Sequence, residues 1–206
     1  MQRAKRIYRT RYRKLLSRSL GLALFLLVLF TRIPTLLQLP AASAMGLVGL
    51  LLASVAAFGR IWTSLYISGR KSSELVSQGP YSITRNPLYL FSLLGAAGLG
   101  LASCNHLVLL CLIPAFIIYY RGVILQEENK LSSKHGNSFE EYLARVPRLF
   151  PKLSLYEQPE QLTVHTRPVS RAIADAVWFI LGYIALRIVV WLHVFGILPA
   201  LEIRLY

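Results

Sequence analysis

Two adjacent carboxylates, Glu127 and Glu128, close a long apolar run, while a guanidinium, an amide and two phenols are gathered upstream in Gly79-Pro80-Tyr81-Ser82-Ile83-Thr84-Arg85-Asn86-Pro87-Leu88-Tyr89. These side-chain types suit recognition of a small, partly cationic zwitterion. A carboxylate pairs with an ammonium, an arginine or asparagine with a carboxylate, and a tyrosine face with a sulfonium or an adenine. Arg121 and Glu128 are seven residues apart, so on a helix they share a face two turns apart, with Glu127 one position off. The structural alternative is a solvated helix end in which Lys130 and Lys134 partner the glutamates. The Arg85-Asn86-Pro87 turn falls at the same depth, with Tyr81 and Tyr89 beside it, and favours a binding site.

The elements that must position these groups are membrane helices. The chain of 206 residues is 55% hydrophobic and 16% charged, with a net charge of +14, which describes an all-α, polytopic integral membrane protein. Apolar runs at 15–30 (extending towards 39), 41–67, 88–103, 107–125 and 172–201 predict about five transmembrane helices, since about 20 apolar residues span a bilayer. The third and fourth runs are the shortest and are joined by Cys104-Asn105-His106, which predicts a tight helical hairpin. Pro80 and Pro87 prevent any helix from running through the polar cassette, because each lacks an N–H donor and restricts the residue before it. The cassette therefore lies where one membrane helix ends and another begins.

The sizeable polar stretch, 126–171, is too short for a separate domain. Its first part continues the fourth apolar helix and stops at His135-Gly136, where glycine suits a C-cap. Ser138 is expected to cap a second short helix at 139–146, with Glu141 as its capping-box partner. Pro147 and Pro151 end it, and 154–168 reads as a loop. The chain thus forms one membrane domain over 1–206: a basic N-terminus at 1–18, two spans in 19–59, a core at 60–151, a loop at 152–171 and a last span at 172–201.

Charge placement gives an orientation. Arg3 to Arg18 before the first run, Arg70, Lys71 and Arg85 between the second and third, and Lys130, Lys134, Arg145, Arg148, Lys152, Arg167 and Arg171 before the last fall on one side if five spans alternate. Cationic loops are cytoplasmic, so the N-terminus and the polar cassette are expected inside and the C-terminus on the opposite side. The basic residues are spread over membrane-adjacent loops without a nucleic-acid-reading pattern, which points to anionic lipid headgroups as partners, each cation contributing roughly 1 kcal/mol. A cleavable signal peptide ending near Ala42-Ser43-Ala44 is disfavoured by the long basic region and by an apolar stretch that ends well before that site. Cys104 and Cys111 read as packing residues, and the four histidines show no metal-ligand spacing. Arg60, Arg187 and His193 stand inside apolar runs, where an ionisable group either serves a site or pairs with a neighbouring helix.

The motifs carry a family resemblance. Gly79-Pro80-Tyr81-x-x-x-Arg85-Asn86-Pro87-x-Tyr89, Glu127-Glu128-x-x-Leu131, Gly136-x-x-Phe139-x-x-Tyr142 and Arg145-Val146-Pro147-Arg148-x-x-Pro151 occur in order, with Arg60-x-Trp62 upstream. The set resembles the isoprenylcysteine carboxyl methyltransferase family and the related phospholipid N-methyltransferases, over roughly 60–151. The resemblance implies an integral membrane enzyme that binds S-adenosylmethionine in a cytosol-facing pocket and takes a lipophilic acceptor from the bilayer. It implies that Tyr81, Arg85, Asn86, Pro87, Tyr89, Glu127 and Glu128 line the cofactor pocket. Arg85, Glu128 and Arg145 are then the groups nearest the chemistry.

Methyl transfer from a sulfonium is an in-line displacement, so positioning and exclusion of water are the protein's main tasks. A carboxylate acceptor needs only an orienting cation, whereas an amine or hydroxyl needs a base, for which Glu128 is the first candidate. This sequence has Asn86 where the family has histidine, which excludes a histidine base there. It has Phe91 where the family has glycine, a bulk expected to narrow the adjacent groove and move the acceptor away from prenylated proteins. Two other readings fit the same residues: an NADPH-dependent membrane reductase resembling sterol reductases, and a non-catalytic membrane interaction protein.

Overall fold

Three helices begin at a proline, Pro40–Ile67, Pro80–Ile83 and Pro87–Ala102, the position where a missing N–H leaves nothing unpaired and the fixed φ already suits the helix. A computed structural model describes residues 19, 21–32, 40–70, 74–199 and 201–202 of the chain. In order, its helices are α1 (Gly21–Phe30), α2 (Pro40–Ile67), α3 (Pro80–Ile83), α4 (Pro87–Ala102), α5 (His106–His135), α6 (Asn137–Arg145) and α7 (Thr166–Val194). A single 3-10 turn, Leu153–Leu155, lies between α6 and α7. Thr31 and Arg32 pair in parallel with Leu201 and Glu202; the described elements are otherwise helical. The expected basic cluster from Arg3 to Arg18, with Lys71 and Arg204, lies outside the described residues.

Three of the helices are long and apolar enough to cross a membrane: Ala42–Ile67, His106–His135 and Thr166–Val194. This is fewer than the five spans expected. The other two apolar runs form the shorter helices Gly21–Phe30 and Pro87–Ala102. At 1.5 Å per residue, the 16 residues of α4 reach about 24 Å against a hydrocarbon core of about 30 Å. The hairpin expectation is met: α4 and α5 are joined by residues 103–105, and Asn105 caps α5 by accepting the Leu107 N–H at 3.1 Å. Its Nδ2 donates to Thr31 Oγ1 at 3.0 Å, tying the turn to the chain below α1.

The packed centre is the contact of α2 with α4, and small residues make it. A Cβ on Gly49 would lie 2.7 Å from the Gly98 carbonyl oxygen, and one on Gly98 would lie 2.8 Å from that of Gly49. The two backbones touch there, the device by which membrane helices associate when hydrophobicity alone gives no drive. Ala53 and Ala56 are fully buried beside it, and α7 covers the pair by laying Phe179 over Gly95.

Two local expectations change. Gly136, at φ 51, ends α5 as expected but also serves as N-cap of α6, which starts at Asn137 with no side-chain cap bond. A helix that begins at Asn137, with only Gly136 between it and α5, leaves no extended backbone at position 138, so the Ser138–Glu141 capping box does not form. The last helix starts at Thr166 rather than 172 and takes Pro168 into its first turn, where no N–H is needed. It ends at Val194, short of 201.

Candidate functional site

The polar cassette folds as two proline-started turns separated by an extended link. Gly79 sits at φ 60 with the Tyr66 ring where a side chain would project, 2.2 Å from an added Cβ, so both the backbone sign and the space require glycine. Pro80 starts the one-turn α3, Thr84 is extended, Asn86 is the N-cap of α4 and Pro87 is its first residue.

A strap that follows α6 fixes this shape. Pro147 accepts the Arg85 N–H at 2.9 Å, Ile83 accepts the Lys152 N–H at 2.9 Å, and Glu157 accepts the Gly79 N–H at 2.7 Å. The Asn86 amide donates from Nδ2 to the Arg148 carbonyl at 3.0 Å, and the Thr84 hydroxyl lies 3.1 Å from the Leu149 carbonyl oxygen. Ser82 closes the set by accepting the Glu157 N–H at 3.0 Å. The proline-rich strap motif and the cassette motif are thus two halves of one piece of backbone.

Between the cassette, the C-terminal half of α5 and α6 lies a cleft whose volume, open mouth included, is about 1040 Å³. Tyr81, Arg85, Asn86, Pro87, Tyr89, Glu127 and Glu128 all line it, with Leu75, Leu131, Phe139 and Tyr142 among the other walls. Helix α6 is held beneath it by a cluster of Phe139, Tyr142 and Val146 against Leu75, Leu131 and Leu143. The Tyr89 hydroxyl donates to Glu127 Oε2 at 2.8 Å. Glu128 stands between two guanidiniums: Arg85 Nη1 is 3.3 Å from Oε1, and Arg148 donates from Nε to Oε1 at 3.2 Å and from Nη2 to Oε2 at 2.7 Å. Arg85 Nε is buried and has no hydrogen-bond partner among the described residues.

The two buried phenols of the cleft are held neutral. Burial, reinforced by Tyr142, Glu127 and Tyr89, pushes the Tyr81 hydroxyl well above the ordinary phenol range. Burial likewise raises Tyr142 against the opposing pull of Arg85 and then Arg145. Tyr142 therefore keeps its proton and donates it to the Tyr81 carbonyl at 2.8 Å, which locks α6 to the cassette.

Arg145 is not brought to the cleft. It is half exposed and pairs with Glu157 at 3.2 Å. Arg148, three residues on, takes the place beside Glu128, and Tyr142 is a cleft residue to which the sequence assigned no role. Both stand in the motifs that carried the resemblance, but Arg145 and Arg148 flank the same Val146-Pro147 step and nothing local distinguishes them. Phe91 does not narrow the cleft either: its ring fills the space over Gly59 and meets Trp62 edge-on with centroids 6.3 Å apart. Arg60 bonds the Ser92 hydroxyl. Arg187 lies against Gly46 and 3.6 Å from Cys104 Sγ, and His193 Nε2 is 3.0 Å from the Leu29 carbonyl oxygen. These three intramembrane groups pair with neighbouring segments and are not among the cleft's walls. Cys104 is buried in the hairpin turn, whereas Cys111, expected to pack, is exposed.

Fold and cleft together define an all-α membrane protein with a cleft of charged, aromatic and apolar side chains at the ends of its helices. The sequence pattern of the phospholipid methyltransferase family matches residues 16–138, and the chain belongs to this family. The match takes in the N-terminal apolar run, which the motif resemblance did not reach, and stops before most of α6 and the strap. Among curated relatives, the cobalt-zinc-cadmium resistance protein CzcN of Cupriavidus metallidurans is 45% identical over 141 residues, covering 68% of this chain and 63% of that protein. The nickel-cobalt-cadmium resistance protein NccN of Alcaligenes xylosoxydans xylosoxydans is 39% identical over 164 residues, covering 77% and 76%. The chain thus spans somewhat under two thirds of CzcN and about three quarters of NccN. No solved structure matches it at a significant level.

Proposed function

We propose that this protein is an S-adenosylmethionine-dependent methyltransferase whose acceptor is a lipophilic molecule taken from the bilayer, a carboxylate of an isoprenoid or lipid being favoured. The observation that carries the reading is the convergence of Arg85, Glu127, Glu128 and Tyr89 on one cleft, in a chain of the phospholipid methyltransferase family. The donor set fits the cofactor. The unpartnered Nε of Arg85 is available to a carboxylate, Glu127 and Glu128 offer oxygens to an ammonium, and Tyr81 and Tyr89 offer aromatic faces to a sulfonium. When bound, S-adenosylmethionine supplies an electrophilic methyl group.

The chain's own part is positioning. Leu75, Leu131 and Phe139 exclude water from one wall of the cleft, and the strap holds Arg85 and Asn86 in register with Glu128. Among the described residues of the cleft, both carboxylates already have partners. Asn86 does not titrate, Glu127 accepts the Tyr89 hydroxyl, and both oxygens of Glu128 are engaged by guanidiniums. An acceptor that is already anionic needs no base, which favours a carboxylate over an amine or hydroxyl.

Arg70, Arg85, Lys130, Lys134, Arg145, Arg148, Lys152, Arg167 and Arg171 all belong to loops or helix ends at the cassette's level, and this supports a multi-pass protein with its cleft and N-terminus cytoplasmic. The relatives' names suggest a setting. Esterifying an acidic lipid removes a negative charge from the membrane surface and so lowers its attraction for divalent cations.

Calorimetry with S-adenosylmethionine on the detergent-purified protein tests the reading, with NADPH in parallel. Saturable binding of S-adenosylmethionine is expected. Binding of NADPH in its place assigns a reductase, and binding of neither by folded protein leaves a membrane interaction protein.

A further inference from the structure

A second groove, about 730 Å³ with its open side included, lies between α4 and α5 and is separated from the cleft by the ring of Tyr89, which lines both. Its floor is apolar and aromatic: Leu93, Phe116, Ile117 and Tyr120, with Tyr120 stacked against Phe116 at 4.1 Å and Tyr89 at 4.8 Å between centroids. Ile117 and its neighbour Ile118 are exposed in the middle of a helix apolar enough to span the membrane, so the groove opens towards lipid. At its polar end stand Arg121 and Arg148. Arg148 also grips Glu128, a residue of the cleft wall, so it links the groove to the cleft.

We propose that this groove holds the acceptor as a single-chain amphiphile with a terminal carboxylate, its tail along Leu93, Phe116 and Ile117 and its carboxylate at Arg121 and Arg148. The inference rests on the methyltransferase reading and adds to it the acceptor's place and charge. Two guanidiniums at the end of an apolar channel match one anionic head on a hydrocarbon tail and disfavour a cationic head. Arg148, divided between Glu128 and the groove, is the group that hands the carboxylate across the Tyr89 wall. In the reaction a carboxylate oxygen lone pair forms the new O–CH3 bond, the S–CH3 bond breaks with its electron pair left on sulfur, and no proton moves.

The test uses the full chain in phosphatidylcholine nanodiscs with a diazirine-bearing hexadecanoic acid, the crosslinked residues being mapped by mass spectrometry. Labelling is expected at Leu93, Phe116 and Ile117, competed at least about tenfold better by hexadecanoate than by hexadecylamine, because a charge-assisted pair is gained by one and a repulsion by the other. Arg121→Gln is expected to weaken that competition about tenfold while S-adenosylmethionine affinity, read by calorimetry in the same nanodiscs, stays unchanged. Labelling spread evenly over the lipid-facing helices, or indifferent to the headgroup, with S-adenosylmethionine binding intact overturns the groove alone. Headgroup-selective labelling in a protein that binds no S-adenosylmethionine overturns the methyltransferase reading and the acceptor role with it.

Discussion

Arg148 grips Glu128 as a two-pronged fork, Nη2 at 2.7 Å from Oε2 and Nε at 3.2 Å from Oε1. The fork joins a strap after α6 to the end of α5. Since Arg85 approaches the same carboxylate from the cassette at 3.3 Å, three separate segments meet through the charge of Glu128. Replacing it by glutamine leaves two guanidiniums facing each other without a counter-charge. Glu128→Gln is expected to weaken S-adenosylmethionine binding at least about tenfold, and to cost about 1.5–3 kcal/mol of stability from the lost charged hydrogen bonds. Calorimetry and a denaturant titration in the same detergent read both.

Arg145 and Arg148 separate a surface pair from a site residue. The two arginines are equally exposed, and their carboxylates set them apart: Glu157 is half exposed, whereas Glu128 is 12% exposed, and a pair exposed on both sides contributes about 0–1 kcal/mol. Arg145→Gln is expected to leave cofactor affinity and melting temperature near the wild type, and Arg148→Gln to weaken cofactor binding by releasing Glu128. Equal losses in the two variants would show that the resemblance, which places Arg145 near the reacting groups, is the better guide.

What the sequence made legible was the part written in local chemistry. Pro80 and Pro87 announce the two turn starts, Gly136 the break after α5, and the long apolar stretch from 107 to 125, interrupted by Arg121, the helix that carries the glutamates outward. These signals act within a few residues, so they survive without knowledge of the fold. The choice between Arg145 and Arg148 was not legible, because it depends on which face of the strap lies against the cassette 60 residues earlier, a matter of long-range hydrogen bonds such as Asn86 Nδ2 to the Arg148 carbonyl. Phe91 shows the same limit. Its bulk where the family has glycine suggested a ring that narrows the adjacent groove, but the empty side of Gly59 on α2 accommodates it instead. The span count among the described residues is lower for a different reason: an apolar run marks burial in lipid or protein alike, and α4 is largely covered by α2.

The phenols of the cleft give a pH signature. Both Tyr81 and Tyr142 have hydroxyls raised above the ordinary value of 10.0 by burial. The unfolded chain therefore loses these protons first, binds fewer protons than the native state above that pH, and becomes favoured as pH rises. Their contribution is fully present below about pH 10 and is lost above it, by up to about 1.4 kcal/mol per unit for each tyrosine. Tyr142→Phe removes one of the two titrations as well as the bond to the Tyr81 carbonyl. It is expected to start about 1–3 kcal/mol less stable at neutral pH and to show a shallower alkaline decline. Parallel curves for wild type and variant, from denaturant titrations at several alkaline pH values, would mean that Tyr142 ionises as readily folded as unfolded.

The glycine contact at the centre of the bundle gives a prediction with its own control. A methyl group on Gly98 would come within 2.9 Å of the Ala53 nitrogen and 2.8 Å of the Gly49 carbonyl oxygen. Both are backbone atoms that no rotamer change can move. Gly98→Ala must push α4 off α2, at a cost of about 1–3 kcal/mol, as for overpacking elsewhere. Because α4 carries Asn86, Pro87 and Tyr89 at its start, the same displacement is expected to weaken cofactor binding although the substitution lies on the far half of the helix. Gly122→Ala on α5 meets nothing within 4 Å. It is expected to gain about 0.5–1 kcal/mol from helix propensity alone and to leave binding unchanged. If Gly98→Ala instead behaved like Gly122→Ala in thermal unfolding and calorimetry, the close approach of α2 and α4 would not be the contact that sets the cassette's position.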